Sequence, residues 1–268
     1  MRGKKSRYGS HQVDEENPYW MSFSDIMAGL LVIFILAAVV LILELTEKRA
    51  KWDQAIEEIA KAEQVRKDIL REVEIELNSK NIPVAVSDND TVLRIPEQAL
   101  TFKQGSFDIP NDDYHRSIVV EIGEVLYKAI SKDRRWEYLD TVFIEGHTDR
   151  IPFRNSSFKG NWGLSTFRAI SLWDFWNANM DKDYTLENIK NHSGDRLFSV
   201  SGYAETRPIP CSNTGQDIDD VDLCPLGVLN ASESLAKNRR IDIRVTVKKP
   251  SMETMQGTRE AIDNAKAQ

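Results

Sequence analysis

Residues 146–169 read GHTDRIPFRNSSFKGNWGLSTFRA. The run TVFIEGHT (141–148) is rich in β-branched and aromatic residues and reads as a buried strand, so Asp149 falls in the turn directly after it. In that turn, backbone N–H groups and Thr148 can hold a carboxylate's charge. Downstream, NWGLS opens a helix, expected from about Leu164 to Met180, that includes Arg168. Farther along, LAKNRRIDIRV puts Arg239 and Arg240 at the start of a last strand. A carboxylate and guanidinium groups at adjoining element ends suit a zwitterion, with bidentate contact to its carboxylate and an ion pair to its amine. The alternative for any single Asp–Arg pair is an ordinary structural salt bridge, which is common and weak at surfaces.

On either side of this stretch, strand and helix alternate. TVLRIP (91–96) has strand character, TFKQGSFDIP (101–110) is a turn-rich connection, and Tyr114 to Ile130 has helical periodicity. RLFSVSGYA (196–204) reads as a strand, a long polar loop follows, and RRIDIRVTVK (239–248) closes the domain. That order predicts an α+β domain over residues 84–249, a small sheet with helices on one face. Residues 250–268 are charged and short of large apolar side chains, and are expected to form a flexible tail.

The first part of the chain is of a different kind. WMSFSDIMAGLLVIFILAAVVLILEL (20–45) is almost wholly apolar, and Ile26 to Leu43 contains no charged residue. At about 1.5 Å per helical residue this stretch spans a bilayer core. A cleaved signal peptide would have a shorter apolar region followed by a small-residue cleavage site, and LILELTEKRAKW (41–52) offers none. A retained transmembrane helix over 20–45 is therefore expected, after a polar tail over 1–19. Arg2, Lys4, Lys5 and Arg7 place the N-terminus in the cytoplasm, although Lys48, Arg49 and Lys51 flank the other end. The expected location is a bacterial inner membrane, crossed once, with the C-terminal domain in the periplasm.

Residues 46–80 hold no Gly or Pro and read as one linker helix. Its apolar residues Trp52, Ile56, Ile59, Ala62, Val65, Ile69, Val73 and Leu77 recur at steps of three and four. So narrow a stripe favours a coiled-coil seam in a homodimer; the alternative is a single amphipathic helix lying on the following domain.

Composition excludes several classes. A net charge of -7 supplies no basic face for nucleic acid. His11, His115, His147 and His192 are scattered without ligand spacing, and no Cys-x-x-Cys pair occurs, so no metal site is expected. No nucleophile elbow or phosphate loop is present, so the chain is not read as an enzyme, and no cofactor is expected. Cys211 and Cys224 bracket a polar loop. In an oxidising compartment a disulfide between them would contribute on the order of 3 kcal/mol by limiting the unfolded chain; the alternative is two free thiols.

With these residues in view, the sequence resembles the C-terminal domain of outer-membrane protein A and its relatives, the peptidoglycan-associated lipoprotein and the flagellar stator B subunit. The resemblance rests on Thr148-Asp149, on Asn161, Leu164, Ser165, Arg168 and Ala169, on Gly202 with Pro208, and on Asn238-Arg239-Arg240. It implies an OmpA-like β/α/β/α-β domain that binds peptidoglycan without covalent chemistry. Asp149 and Arg168 would hold the free ends of diaminopimelate in the stem peptide, and Thr148, Asn161, Leu164 and Arg239 would shape the pocket. The segment RIPFRNSSFKG (150–160) is longer than the common pattern and lacks its early glycine.

YWMSFSDIMAGLLVIFIL (19–36) is similar to the membrane segment of flagellar stator B subunits, in which an aromatic residue precedes an ion-carrying aspartate, here Asp25. A carboxylic acid there can take up a proton in one environment and release it in another, whereas a bland reading makes Asp25 an interfacial residue. Ala28 and Gly29 follow one turn later and leave room for a partner helix. The whole plan is most like the B subunits of the Zorya anti-phage defence system. The resemblance implies a homodimer inside a pentameric ring of A-type channel subunits, in a 5:2 assembly, that conducts protons or sodium ions through Asp25 while peptidoglycan holds it still. A flagellar stator subunit and a passive wall tether are the competing readings.

Overall fold

The computed structural model describes residues 18–100, 102–103, 105–154, 159–209 and 231–249. The chain divides into two units, Met1–Gln54 and Ala55–Gln268. Helix α1, Pro18–Ser79, supplies the described part of the first unit and the start of the second. In the first unit its large apolar side chains from Phe23 to Leu45 are all exposed, and by length and composition this stretch could cross a membrane. Asp25 lies on it and is exposed as well.

The second unit has the elements β1 (Ala85–Ser87), β2 (Val92–Pro96), α2 (Glu97–Leu100), α3 (Asp113–Ser131), β3 (Leu139–His147), α4 (Asn161–Asn179), β4 (Phe198–Gly202), α5 (Ala231–Asn238) and β5 (Arg240–Val247). The strands form one sheet in the order β1-β2-β5-β3-β4. Only β3 and β4 run parallel; the other neighbours are antiparallel. The α+β class expected from the alternating pattern is the one observed. β1, α2 and α5 were not expected, because elements so short show no periodicity.

Register sorts the sheet into two chemically opposite faces. Leu93 pairs with Ile243 and Ile243 with Ile144, while Ile95 pairs with Ile241 and Val142 with Val245. This apolar face packs on Val119, Ile122, Val125 and Leu126 of α3 and on Ala169, Leu172, Phe175 and Trp176 of α4. The Trp176 Nε1–H donates to the carbonyl of Val119 at 2.7 Å and ties the two helices together.

The same core takes in part of α1. Ile69, Leu70, Val73 and Leu77 are fully buried in it, and Ala62 is buried as well. This corrects the expectation of a coiled-coil seam along the whole stripe: its residues Ile69, Val73 and Leu77 are used inside the domain of their own chain, as the alternative of a helix lying on the following domain requires. Trp52 and Ile56 remain exposed. Ion pairs fasten the same stretch. The Glu72 carboxylate receives Arg135 at 2.8 Å and Lys132 at 3.1 Å, and the Arg135 hydrogen bond draws its pKa down to about 2. Buried Arg66 pairs with Glu63 and donates to the carbonyl of Asp90 in the β1–β2 turn.

The opposite face is a ladder of charges. Across β2, β5 and β3 the rung Arg94, Asp242, Glu145 sets one cation beside two neighbouring carboxylates. Asp242 receives Arg94 at 3.1 Å and Arg240 at 3.0 Å, and Glu145 receives Arg244 at 2.9 Å. His147 lies among them, 1% exposed, stacked on Tyr203 with ring centres 5.4 Å apart. Burial, reinforced by the charge of Arg240 and opposed by that of Asp242, pushes its pKa down to about 3, so it is neutral. Glu145, His147 and Asp242 have ligand atoms within 4.8 Å of one another. Both carboxylates are already engaged by arginines, and a divalent cation would add its charge to three guanidinium groups. The cluster is therefore an internal salt lattice.

Candidate functional site

The ends of β3 and β4 and the first turn of α4 meet because two glycines let them. A Cβ on Gly146 would lie 1.9 Å from the Ser165 carbonyl oxygen, and one on Gly202 would lie 2.2 Å from Thr166 Oγ1. Ser165 Oγ accepts from the Ala204 N–H at 3.0 Å, and the Thr148 N–H donates to the Ala204 carbonyl at 2.9 Å. The result is a rigid shelf at the sheet's edge on which Thr148, Asp149, Asn161, Leu164 and Arg168 are all buried.

Asn161 braces the turn that follows β3. Its Nδ2–H groups donate to the carbonyls of Asp149 and Ile151 at 3.3 and 3.1 Å, and its Oδ1 accepts from the Phe153 N–H at 2.9 Å. Asp149 Oδ1 accepts from the Ile151 N–H at 2.9 Å, closing a tight Asx turn. The long segment after Asp149 thus returns to α4 through one side chain. Leu164 is buried on the next turn of the helix, with its N–H bonded to the Gly160 carbonyl at 3.1 Å.

Arg168 and Arg239 approach the same region but differ in their partners. Arg239 spreads its guanidinium over two carboxylates: Nη1 donates to Asp149 Oδ2 at 2.8 Å, Nε to Glu97 at 2.8 Å, and Nη2 to Glu97 Oε2 at 2.6 Å. Its pKa is raised, chiefly by Glu97 and then by Asp149, against the effect of burial. Arg168 is 3% exposed and forms no ion pair among the described residues. Its Nε donates to the Ser106 carbonyl at 3.0 Å, and its guanidinium lies 5.1 Å from the centre of the Phe102 ring. Burial lowers its pKa, with Glu97 and Asp149 working in the other direction and Arg239 adding to the lowering.

The structure brings Thr148, Asp149, Asn161, Leu164, Arg168 and Arg239 into one neighbourhood, but with roles divided. Asn161 and Leu164 build the shelf, and Asp149, Arg168 and Arg239 supply charge. Thr148 Oγ1 is buried without a hydrogen-bond partner among the described residues. Arg240 does not join them. It turns to the opposite sheet face and bonds Asp242, which corrects its grouping with Arg239. Glu97 was missed. Its signal was available only through pairing: Pro96 lies opposite Arg240, so Glu97 falls beside Arg239 across 142 residues of sequence. Cys211 and Cys224 lie outside the described residues, as do residues 1–17 and 250–268 of the expected tails.

No protein-family model matches the chain. Over 104 residues it is 29% identical to motility protein B of Bacillus subtilis (strain 168), a match that covers 39% of this chain and 29% of that protein, so the chain spans less than a third of that relative's length. Among solved structures, it is similar to the cell wall anchor of the T6SS from Pseudomonas aeruginosa, at 21% identity and a TM-score of 0.42, over 67% of this chain and 97% of that one. A putative MotB-like protein from Desulfovibrio vulgaris is 17% identical with a TM-score of 0.45, over 73% of this chain and 99% of that one. The periplasmic domain of Helicobacter pylori MotB is 18% identical with a TM-score of 0.41, over 68% of this chain and 92% of that one.

Proposed function

We propose that this protein is the wall-anchored, single-span subunit of an ion-driven motor complex in a bacterial inner membrane. In this reading the second unit binds the free amino-acid end of diaminopimelate in peptidoglycan, and Asp25 passes protons or sodium ions in company with a ring of channel subunits. The observation that supports wall binding most directly is Arg168. A guanidinium that is 3% exposed and has no carboxylate partner among the described residues is costly to keep, and a ligand carboxylate would complete it. Asp149, on the same shelf, is the acceptor for the ligand's ammonium group.

The motor part of the reading draws on the apolar exposed helix with Asp25 near its start and on the partial similarity to motility protein B. A proton crossing the membrane releases about 2.3 kcal/mol per 100 mV, which a stepping ring can use only if its inner shaft is held. The wall site is the hold. Within this class we place the chain in Zorya-type phage defence, on the combined plan of an Asp-bearing span, a long helix and a wall-binding domain. A flagellar stator subunit shares that plan.

Two measurements test the proposal separately. Full-length protein in detergent should sediment with purified sacculi containing diaminopimelate, and Arg168→Lys should weaken this by about tenfold, because an ammonium cannot reproduce a bidentate fork. Asp25→Asn should abolish cellular activity, scored as phage protection and as swimming, while insertion and assembly persist. Full activity of Asp25→Asn would leave only a passive tether, and failure of the wild-type protein to sediment would remove wall binding.

A further inference from the structure

The carboxylate of Glu97 touches neither Asp149 nor Arg168, yet it decides what charge the pocket presents. It takes two of the three nitrogen positions of Arg239, leaving only Nη1 for Asp149. Glu97 also acts on Arg168 through space, as the largest influence opposing burial. Counted together, Arg168 and Arg239 contribute two positive charges, and Asp149 and Glu97 two negative ones.

We infer that Glu97 is a specificity-determining residue of this pocket: by neutralising Arg239 it frees Asp149 for an ammonium group and tunes the site to ligand ends bearing both an amine and a carboxylate. Without Glu97, Asp149 would be the sole counter-ion of Arg239 and could not also serve a ligand. The pocket would then carry a net positive charge and favour a bare carboxylate. With Glu97 in place, Arg239 keeps a counter-ion on its Nε and Nη2 edge when a ligand ammonium competes with its Nη1 for Asp149. Arg168 is left to receive the ligand carboxylate and Asp149 the ammonium. Glu97 lies at the first turn of α2, directly after β2, so the strand pairing of Pro96 with Arg240 sets its distance to Arg239. It is a positioning group and does not reach the ligand.

The inference rests on the wall-binding reading, and the test separates the two. Full-length protein in detergent is titrated with two soluble muropeptides: one with a free diaminopimelate end, the other acetylated on that amine. The wild-type protein should bind the free form about tenfold more tightly, the value of roughly one charge pair in a partly solvated site. In Glu97→Gln the preference should fall to about twofold or reverse, chiefly because the acetylated form binds better. Glu97→Asp keeps the charge and should retain the wild-type preference within about twofold, which a role in mere packing would not. If the wild-type protein binds neither muropeptide, wall binding itself fails. If it binds and Glu97→Gln keeps the full preference, or if a folded Glu97→Asp loses it, the inference about Glu97 is overturned and the wall-binding reading stands. Should Glu97→Gln not fold, the Glu97→Asp comparison decides alone.

Discussion

Asp149 Oδ2 lies 2.8 Å from Arg239 Nη1, and this pairing leaves Arg168, deeper in the shelf, without a carboxylate among the described residues. The two arginines are therefore expected to respond differently to loss. Arg239→Ala strands Asp149 and Glu97 as neighbouring like charges, and should cost about 1–3 kcal/mol of stability as well as wall binding. Arg168→Lys should leave the thermal midpoint within a few degrees of wild type yet lower sacculus binding. Paired melting curves and sedimentation assays distinguish the two patterns.

Asn161→Ala removes three hydrogen bonds that hold the turn after β3. The Phe153 N–H and the carbonyls of Asp149 and Ile151 would then need water. A loss of about 2 kcal/mol is expected, together with faster amide exchange over residues 149–153. Unchanged exchange there would show that the turn holds without its brace.

Gly146→Ala is expected to be among the most damaging single changes in the domain. Its new methyl would overlap the Ser165 carbonyl, a backbone atom that cannot move unless α4 moves. Destabilisation of about 3 kcal/mol or more follows, with loss of wall binding. By contrast Gly29→Ala, where the added carbon meets nothing within 4 Å, should leave the melting of the second unit as it was.

The buried His147 makes stability depend on pH. The folded domain keeps the ring neutral down to about 3, whereas the unfolded chain takes up a proton near the ordinary value of 6.5. The unfolded state therefore binds more protons between those limits. The contribution is fully present above about 6.5 and declines as pH falls toward 3. Urea midpoints recorded from pH 7 to pH 5, above most carboxylate titration, should decline for the wild-type protein and flatten for His147→Gln. A wild-type midpoint that stays level through this range would mean the ring is protonated inside the fold.

How much of this was legible in the sequence depends on how far apart the interacting residues lie. The strands at 92–96, 139–147 and 240–247 are legible through their β-branched and aromatic residues, which a half-buried sheet favours. The Asp149 turn and the Arg168 helix were visible for a similar reason: both lie within one local strand–turn–helix unit. Glu97 was not visible, since only the β2–β5 register carries it to Arg239. The neighbours Arg239 and Arg240 looked equivalent, but the pleat sends Arg240 to the charged face with Asp242. The stripe on α1 reads as apolar with two uses open to it, a seam or packing on the following domain, and its C-terminal part takes the second. A narrow row of Ile, Val and Leu fits either a second helix or a domain's own interior, and nothing local distinguishes the two.

The burial of Ile69, Leu70, Val73 and Leu77 alters where the globular part of this protein starts. A truncation placed at the obvious break after Ser79 would strip one wall from the interior and leave a greasy trench along α3 and the sheet. Such a fragment would clump or melt early for reasons unrelated to its ligand, whereas one that starts near residue 55 brings its wall with it.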